Sequence, residues 1–117
     1  MNRVYSLYRD PGLGVYIGRP GKYQAGPHGN PVALGKPCPV CKKVHFEPGG
    51  ACACYEVHLR ARLAADPDYA RAFDALQGQD LACFCAPKGG LSAADPVRCH
   101  GQVILKILQE RACPSPI

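Results

Sequence analysis

Five residues that can bind a metal ion lie in one short stretch of the chain. Cys38 and Cys41 form a CxxC pair, His45 follows four residues later, and Cys52 and Cys54 complete the set. Structural zinc is usually held in a tetrahedron of four sulfur or nitrogen ligands. We therefore predict one zinc ion bound by the first three residues and by a thiolate from either Cys52 or Cys54. Because such a site leaves no position for water, the spacing predicts a structural ion.

The surroundings of this pair favour metal binding over redox chemistry or a disulfide. A redox-active CxxC usually opens a helix after a strand, whereas Pro37 and Gly49-Gly50 predict a loop here. The chain contains 8 Cys, and its opening MNRVYSLYRD lacks the apolar core of a secretory signal. No apolar run is long enough to cross a membrane. We therefore expect a cytoplasmic protein, where clustered thiols bind metal or do chemistry more often than they form disulfides.

A second cluster comprises Cys83, Cys85, Cys99 and His100. Three interpretations remain open. These residues bind a second metal ion, although adjacent Cys and His ligands are awkward. Alternatively, Cys85 or Cys99 is a reactive thiolate stabilised by a helix amino terminus and by His100. In the third interpretation the cysteines are buried core residues and His100 bonds a backbone carbonyl.

A glycine-rich segment follows the predicted strand Val15–Ile17 and carries three candidate ligand-binding residues, Arg19, Lys22 and Asn30. The segment lacks the spacing of a P-loop or of a dinucleotide-binding fingerprint. Arg19 can present a bidentate fork to a phosphate or carboxylate, and Asn30 before a proline predicts a fixed turn. A rigid surface loop with solvated cations is the alternative.

The overall pattern predicts one α/β domain over residues 1–117, with a small sheet of three or more strands packed with about three helices. A long loop region organised by the zinc site completes it. The first two strands are expected to form a hairpin or to lie as neighbours. The predicted strands are Val4–Tyr8, Val15–Ile17 and Leu81–Cys85, and the predicted helices run from near Cys54 to Ala64, from Asp66 to Gly78 and from His100 to Arg111.

The pairing of the second and third strands decides where a ligand would bind. If these strands are parallel, the helices between them form a right-handed crossover. Ligands of open sheets bind beyond the carboxyl ends of the strands. Those ends, at Gly18-Arg19 and Cys85-Ala86, would then converge with the helix start at Cys99-His100.

Three segments, Val15–Pro20, Gly29–Pro31 and the C-x-C…CHG pattern of residues 83–101, occur in an order that resembles the DUF4326 family of small bacterial, archaeal and phage proteins. The resemblance extends from Val15 to about Leu108. No activity is assigned to the family. The resemblance therefore supports the fold and implies one shared site formed by Arg19, Asn30, Cys85, Cys99 and His100.

The chain departs from the family pattern at two places. Gln102 stands where the family usually has Asp, which weakens any role that needs a carboxylate there. Residues 35–54, with the zinc knuckle, are expected to be an insertion.

Two functional hypotheses follow. In the first, the protein is an enzyme or binding domain for a nucleotide-like or phosphorylated small molecule. Arg19 and Lys22 would hold the anionic group, and Asn30 would bond the ring or sugar. Either Cys85 or Cys99, together with His100, would supply nucleophilic or acid–base chemistry.

In the second hypothesis the protein is a zinc-stabilised module that binds nucleic acid or protein without catalysis. The formal net charge is +5, and the basic residues are spread out, without a disordered basic arm. An exposed aromatic ring, Tyr23 or Phe46, would stack on a base. Phosphates would be contacted by cations around the zinc site, namely Lys36, Lys42, Lys43 and Arg60.

Overall fold

The computed structural model describes residues 2–10, 12–18, 28–29, 31–83 and 86–112. Within them a three-stranded sheet packs with three helices, so the predicted α/β class is confirmed. No helix in this part of the chain is long and apolar enough to cross a lipid bilayer. The strands are β1 (Val4–Ser6), β2 (Val15–Tyr16) and β3 (Leu81–Cys83), and the helices are α1 (Pro48–Ala65), α2 (Pro67–Asp74) and α3 (His100–Ala112).

Strand β3 lies at the centre of the sheet, between β1 and β2, and both pairings are parallel. The parallel pairing of β2 with β3 meets the condition under which the sequence places their carboxyl ends near the start of the last helix. The prediction that β1 and β2 form a hairpin or are neighbours is wrong. All three residues of β3 are buried, and a strand that is apolar on both faces is best accommodated at the centre of a parallel sheet. The Ile17 N–H extends the pairing beyond β2 by donating to the Ala82 carbonyl at 2.9 Å.

Helix α1 begins at Pro48, earlier than the predicted start near Cys54. Pro48 lies in the first turn. Backbone N–H groups there have no acceptor within the helix, so the N–H that proline lacks costs no hydrogen bond. Gly49 and Gly50 have low helix propensity and led to the prediction of a loop. Tertiary packing offsets that low propensity. One face of the helix is buried at Ala51, Cys52, Tyr55 and Leu59.

Helix α2 begins where the sequence predicts, after Asp66, whose side chain accepts a hydrogen bond from the Tyr69 N–H at 3.0 Å. This is the expected capping interaction of an Asp at a helix start. The helix ends at Asp74, earlier than the predicted end at Gly78, and a turn fills the interval.

The amino end of α3 lies directly against the sheet. A Cβ atom on Gly101 would lie 2.7 Å from Val4 Cγ2 and 2.8 Å from Ile17 Cδ1. Because real Cβ atoms do not approach other atoms so closely, only glycine permits this contact. The contact brings Cys99 and His100 to the end of β2.

The buried side chain of Gln102 holds the loop that precedes α3. Its Oε1 accepts hydrogen bonds from the N–H groups of Arg98 and Cys99, at 2.8 and 3.1 Å. Because an amide offers both an acceptor and donors, one side chain satisfies backbone groups of both kinds. Its Nε2 donates to three loop carbonyls, those of Ser92, Asp95 and Pro96, at 3.1, 3.1 and 3.2 Å.

We expect Gln102→Leu to lower the free energy of unfolding by about 1–3 kcal/mol, because it removes the acceptor of the buried Cys99 N–H, and one buried backbone group left without a partner costs about that much. Urea denaturation followed by circular dichroism measures the loss. Gln109→Leu is the matched control, since Gln109 is exposed on the same helix, and we expect a change within about 0.5 kcal/mol. Equal effects of the two substitutions would contradict the assigned role.

Candidate functional site

Residues 35–45 form a short hairpin, which we call the knuckle. The Cys38 N–H donates to the Lys43 carbonyl at 2.8 Å, and the Lys42 N–H donates back to the Cys38 carbonyl at 2.9 Å. Lys42 adopts the left-handed conformation, with φ of 68°. Farther from the tip, the Gly35 N–H donates to the His45 carbonyl at 2.8 Å. This tight reversal places Cys38, Cys41 and His45 together.

Cys54 completes a group of four donor atoms that lie within 4.8 Å of one another. The Sγ atoms of Cys41 and Cys54 each lie 3.3 Å from Nε2 of His45. In a tetrahedral zinc site with bonds of about 2.3 Å to sulfur and about 2.05 Å to nitrogen, neighbouring donor atoms lie about 3.5–3.8 Å apart. The cluster can therefore hold one metal ion with small adjustments. No other such group of His, Cys, Asp or Glu side chains occurs in the described part of the chain.

The two candidate fourth ligands lie on different faces of α1. Residues two positions apart on a helix of 3.6 residues per turn point about 200° away from each other. Cys54 faces the knuckle. Cys52 is 4% exposed and packs in the main apolar core with Tyr55 and Leu59. The geometry thus brings Cys54, and not Cys52, to the other three donors.

The absent side chain of Gly50 makes room for His45. A Cβ atom at residue 50 would lie 2.8 Å from the imidazole Nδ1, whereas one at Gly49 would meet nothing within 4 Å. Gly50 therefore supports the imidazole position from the first turn of α1. Nothing in the sequence pattern indicated this role, since the glycine pair predicted a loop.

The thiol pKa values of Cys38 and Cys54 are shifted in opposite directions. Burial alone would raise the pKa of the Cys38 thiol, but the backbone N–H groups of Cys41 and Val40 outweigh it and lower the pKa to about 6. Burial raises the pKa of Cys54 to about 11, and the neighbouring sulfurs of Cys41 and Cys38 add to the rise. A bound cation would stabilise all the thiolates together, because a coordinating thiol is deprotonated by the metal charge.

In the second cluster, Cys83 Sγ lies 2.9 Å from Cys99 Sγ, and both residues are buried. His100 Nε2 lies 2.8 Å from the Ile17 carbonyl oxygen, and its ring packs edge-on against Tyr55 with centroids 5.1 Å apart. Since a carbonyl only accepts, Nε2 carries a proton and donates it. This contact is the one expected if His100 is satisfied by a backbone carbonyl.

Four of the predicted site residues, Arg19, Lys22, Asn30 and Cys85, lie outside the described residues, as does Tyr23. Arg60 is engaged elsewhere, because its guanidinium pairs with Glu56 at 2.9 Å and with Glu110 at 2.8 Å. This pairing lowers its availability to phosphate.

The knuckle presents a different surface. Phe46, the residue directly after the knuckle, is 76% exposed. Three lysines of the knuckle itself, Lys36, Lys42 and Lys43, are also exposed. None of the ion pairs found among the described residues includes these three lysines.

A buried aromatic group links the glycine-rich segment to the helices. His28 Nδ1 lies 2.9 Å from the Tyr69 hydroxyl, and the Tyr55 hydroxyl donates to the His28 carbonyl at 3.2 Å. The Arg62 guanidinium lies 3.6 Å from the centre of the Tyr69 ring. Burial lowers the pKa of His28, with further lowering by Arg62 and His100. Nothing in the sequence pattern pointed to His28, because its partners lie on two different helices.

The family comparison agrees with the resemblance seen in the sequence. A model of the family described as a domain of unknown function, DUF4326, matches residues 3–110. No curated protein and no solved structure matches the chain. Because the match covers most of the chain, the protein belongs to the DUF4326 family of domains of unknown function.

Proposed function

We propose that this protein is a zinc-stabilised α/β domain that binds a phosphorylated, nucleotide-like small molecule at the carboxyl edge of its sheet. The observation that supports the zinc half is the cluster of Cys38, Cys41, His45 and Cys54, whose donor atoms lie within 4.8 Å of one another, close enough to surround one tetrahedral ion. Three thiolates and one imidazole favour zinc over magnesium or calcium, which prefer oxygen ligands. With four protein ligands the ion would be structural.

The two cysteines on α1 provide a matched test of the zinc site. We expect one zinc per chain in the purified protein, loss of most of it in Cys54→Ala, and full retention in Cys52→Ala, because only residue 54 reaches the other donors. Elemental analysis measures the ratio, and circular dichroism checks that both variants fold. Zinc retained in Cys54→Ala and lost in Cys52→Ala would reverse the ligand assignment. Wild-type protein without metal would refute the site.

The ligand half of the proposal rests on the convergence of three chain segments. Strands β2 and β3 are parallel, so their carboxyl ends lie at one edge of the sheet. Helix α3 begins at the same edge, since His100 bonds the Ile17 carbonyl. Open parallel sheets bind ligands at such an edge, and an anion is favoured near a helix amino terminus. Arg19 follows β2 almost directly and would supply the charged fork.

Arg19 allows a direct test of the ligand site. We expect nucleoside monophosphates or diphosphates to bind the zinc-loaded protein, and Arg19→Ala to weaken binding by about 10–100-fold, as for loss of a charge-assisted hydrogen bond of about 1.5–3 kcal/mol. Isothermal titration calorimetry measures the dissociation constant. Arg71→Ala is the control, since Arg71 is exposed on α2 and pairs with Asp68. Absence of binding, or equal affinity in both variants, would contradict this half of the proposal.

A second candidate function is favoured by the knuckle surface. The Phe46 side chain is 76% exposed and is therefore accessible to a ligand. Single-stranded nucleic acids bind surfaces on which their bases stack on exposed aromatic rings and their phosphates pair with nearby cations. In this candidate the knuckle would bind a single strand, with Phe46 on a base and Lys36 and Lys43 on phosphates.

The nucleic-acid candidate makes two separable predictions for binding to a fluorescent single-stranded oligonucleotide. The double substitution Lys36→Ala/Lys43→Ala should reduce the salt slope of log K by about 1.4, at about 0.7 per phosphate contact. Phe46→Ala should weaken binding about 5-fold or more at every salt concentration, because stacking contributes about 1–3 kcal/mol per base. Fluorescence anisotropy measures both. Lys88→Ala and Tyr8→Ala, at other exposed sites, should change neither quantity, and equal effects would refute the candidate.

A further inference from the structure

Cys83 and Cys99 place two buried sulfur atoms in contact at the edge of the sheet. Cys83 is the last residue of β3 and Cys99 directly precedes α3. Their Sγ atoms lie 2.9 Å apart, and each residue is 1% exposed. We propose that this pair is a site of reversible oxidation, at which a peroxide converts the two thiols to an intramolecular disulfide. The proposal depends neither on the zinc site nor on the ligand site.

Within the described residues, the local geometry provides the two atoms of a disulfide and not the ligand set of a second metal ion. Zinc needs four ligands, whereas Cys83 and Cys99 belong to no group of three or more metal-binding side chains in the described residues. His100 is not available as a third ligand through Nε2, because that atom bonds the Ile17 carbonyl. A disulfide needs only the two sulfurs, which would close by about 0.9 Å to reach a bond of about 2.04 Å.

Cys99 is the sulfur placed to attack the peroxide. The Gly101 N–H lies 3.4 Å from its Sγ and points at it. A sulfur that receives an amide hydrogen bond at a helix amino terminus is stabilised as the thiolate, which is the nucleophile. Burial of both sulfurs favours a small oxidant such as hydrogen peroxide over a bulky disulfide.

The oxidation proceeds in two balanced steps. The Cys99 thiolate attacks one peroxide oxygen, the O–O bond breaks, and the leaving hydroxide takes a proton to become water, which leaves a sulfenic acid on Cys99. The Cys83 sulfur then attacks the sulfenic sulfur, the S–O bond breaks, and hydroxide leaves with the proton of Cys83 as a second water. Two thiols are oxidised and one peroxide is reduced. A dithiol reductant reverses the reaction by thiol–disulfide exchange.

The disulfide would join the central strand to α3 and close the chain between residues 83 and 99. Closing a loop of about 15 residues restricts the unfolded chain enough to raise Tm on the order of 10 °C in a domain of this size. We therefore expect the oxidised protein to melt at a higher temperature than the reduced protein.

The sequence permits direct identification of the bond. Trypsin cleaves after Arg71, Lys88, Arg98 and Lys106, so Cys83 lies in peptide 72–88 and Cys99 in peptide 99–106. Zinc-loaded protein is treated with hydrogen peroxide and then denatured in the presence of N-ethylmaleimide, which blocks the remaining thiols. The protein is digested with trypsin and the peptides are analysed by mass spectrometry. We expect these two peptides to be linked, with a mass about 2 Da below the sum of peptide 99–106 and of peptide 72–88 carrying N-ethylmaleimide on Cys85, and to separate after reduction.

Peptide 72–88 also contains Cys85, so variants decide which sulfur takes part. The link should persist in Cys85→Ser and in Cys52→Ser, and disappear in Cys83→Ser. If Cys83→Ser does not fold, fragmentation of the linked wild-type peptides locates the bond instead. A link lost in Cys85→Ser, a sulfinic acid on Cys99 without a link, an unreacted pair, or a second zinc bound at this edge would each overturn the proposal.

Discussion

Helix α1 connects two parts of the molecule through its opposite faces, and the position of the knuckle depends on it. One face carries Cys52, Tyr55 and Leu59 into the main core. The other directs Cys54 toward the knuckle, where Val32, Cys38 and Ala51 form a small buried cluster. Ordering the backbone of residues 35–45 costs on the order of 11–22 kcal/mol, and so small a cluster offsets only part of that cost. A metal ion held by the four donors would stabilise the knuckle further, because metal binding is coupled to folding.

The sequence carried enough information to find three of the four donors of the cluster. Cys38, Cys41 and His45 are close along the chain, so their spacing alone predicts that they meet. The choice between Cys52 and Cys54 depends on the phase of a helix whose start was predicted six residues too late. Gly49 and Gly50 concealed that start, because local propensity opposes a helix that tertiary packing maintains.

In the sheet, too, the features that depend on local sequence differ from those that depend on tertiary contacts. The parallel pairing of β2 with β3 was one arrangement that the sequence allowed, because intervening helices permit a crossover between two apolar segments. The position of β1 on the other side of β3 was not predicted, because it depends on pairing between Val4 and Leu81, two residues that lie far apart in sequence. Such a pairing leaves no local mark in the sequence. The contact between α3 and the sheet was equally hidden, since it depends on the missing side chain of Gly101.

The position of Gln102 requires an amide and not a carboxylate. An Asp here could only accept hydrogen bonds, such as those from the N–H groups of residues 98 and 99. It has no donor for the three carbonyls that the Gln102 amide bonds. In this chain the side chain is buried and fully engaged with the loop, so it fixes the start of α3 and is not available to a ligand.

The contact between His100 and Ile17 bears on which chemistry the sheet edge can support. As a general base, His100 would have to use a nitrogen that is not already committed, and Nε2 is committed to the Ile17 carbonyl. The same bond ties the start of α3 to the point where β2 passes into the glycine-rich segment. The Tyr55 hydroxyl holds that segment again at His28. His100 therefore positions the start of α3 against the end of β2 through Nε2, and any acid–base chemistry would have to use its other ring nitrogen, Nδ1.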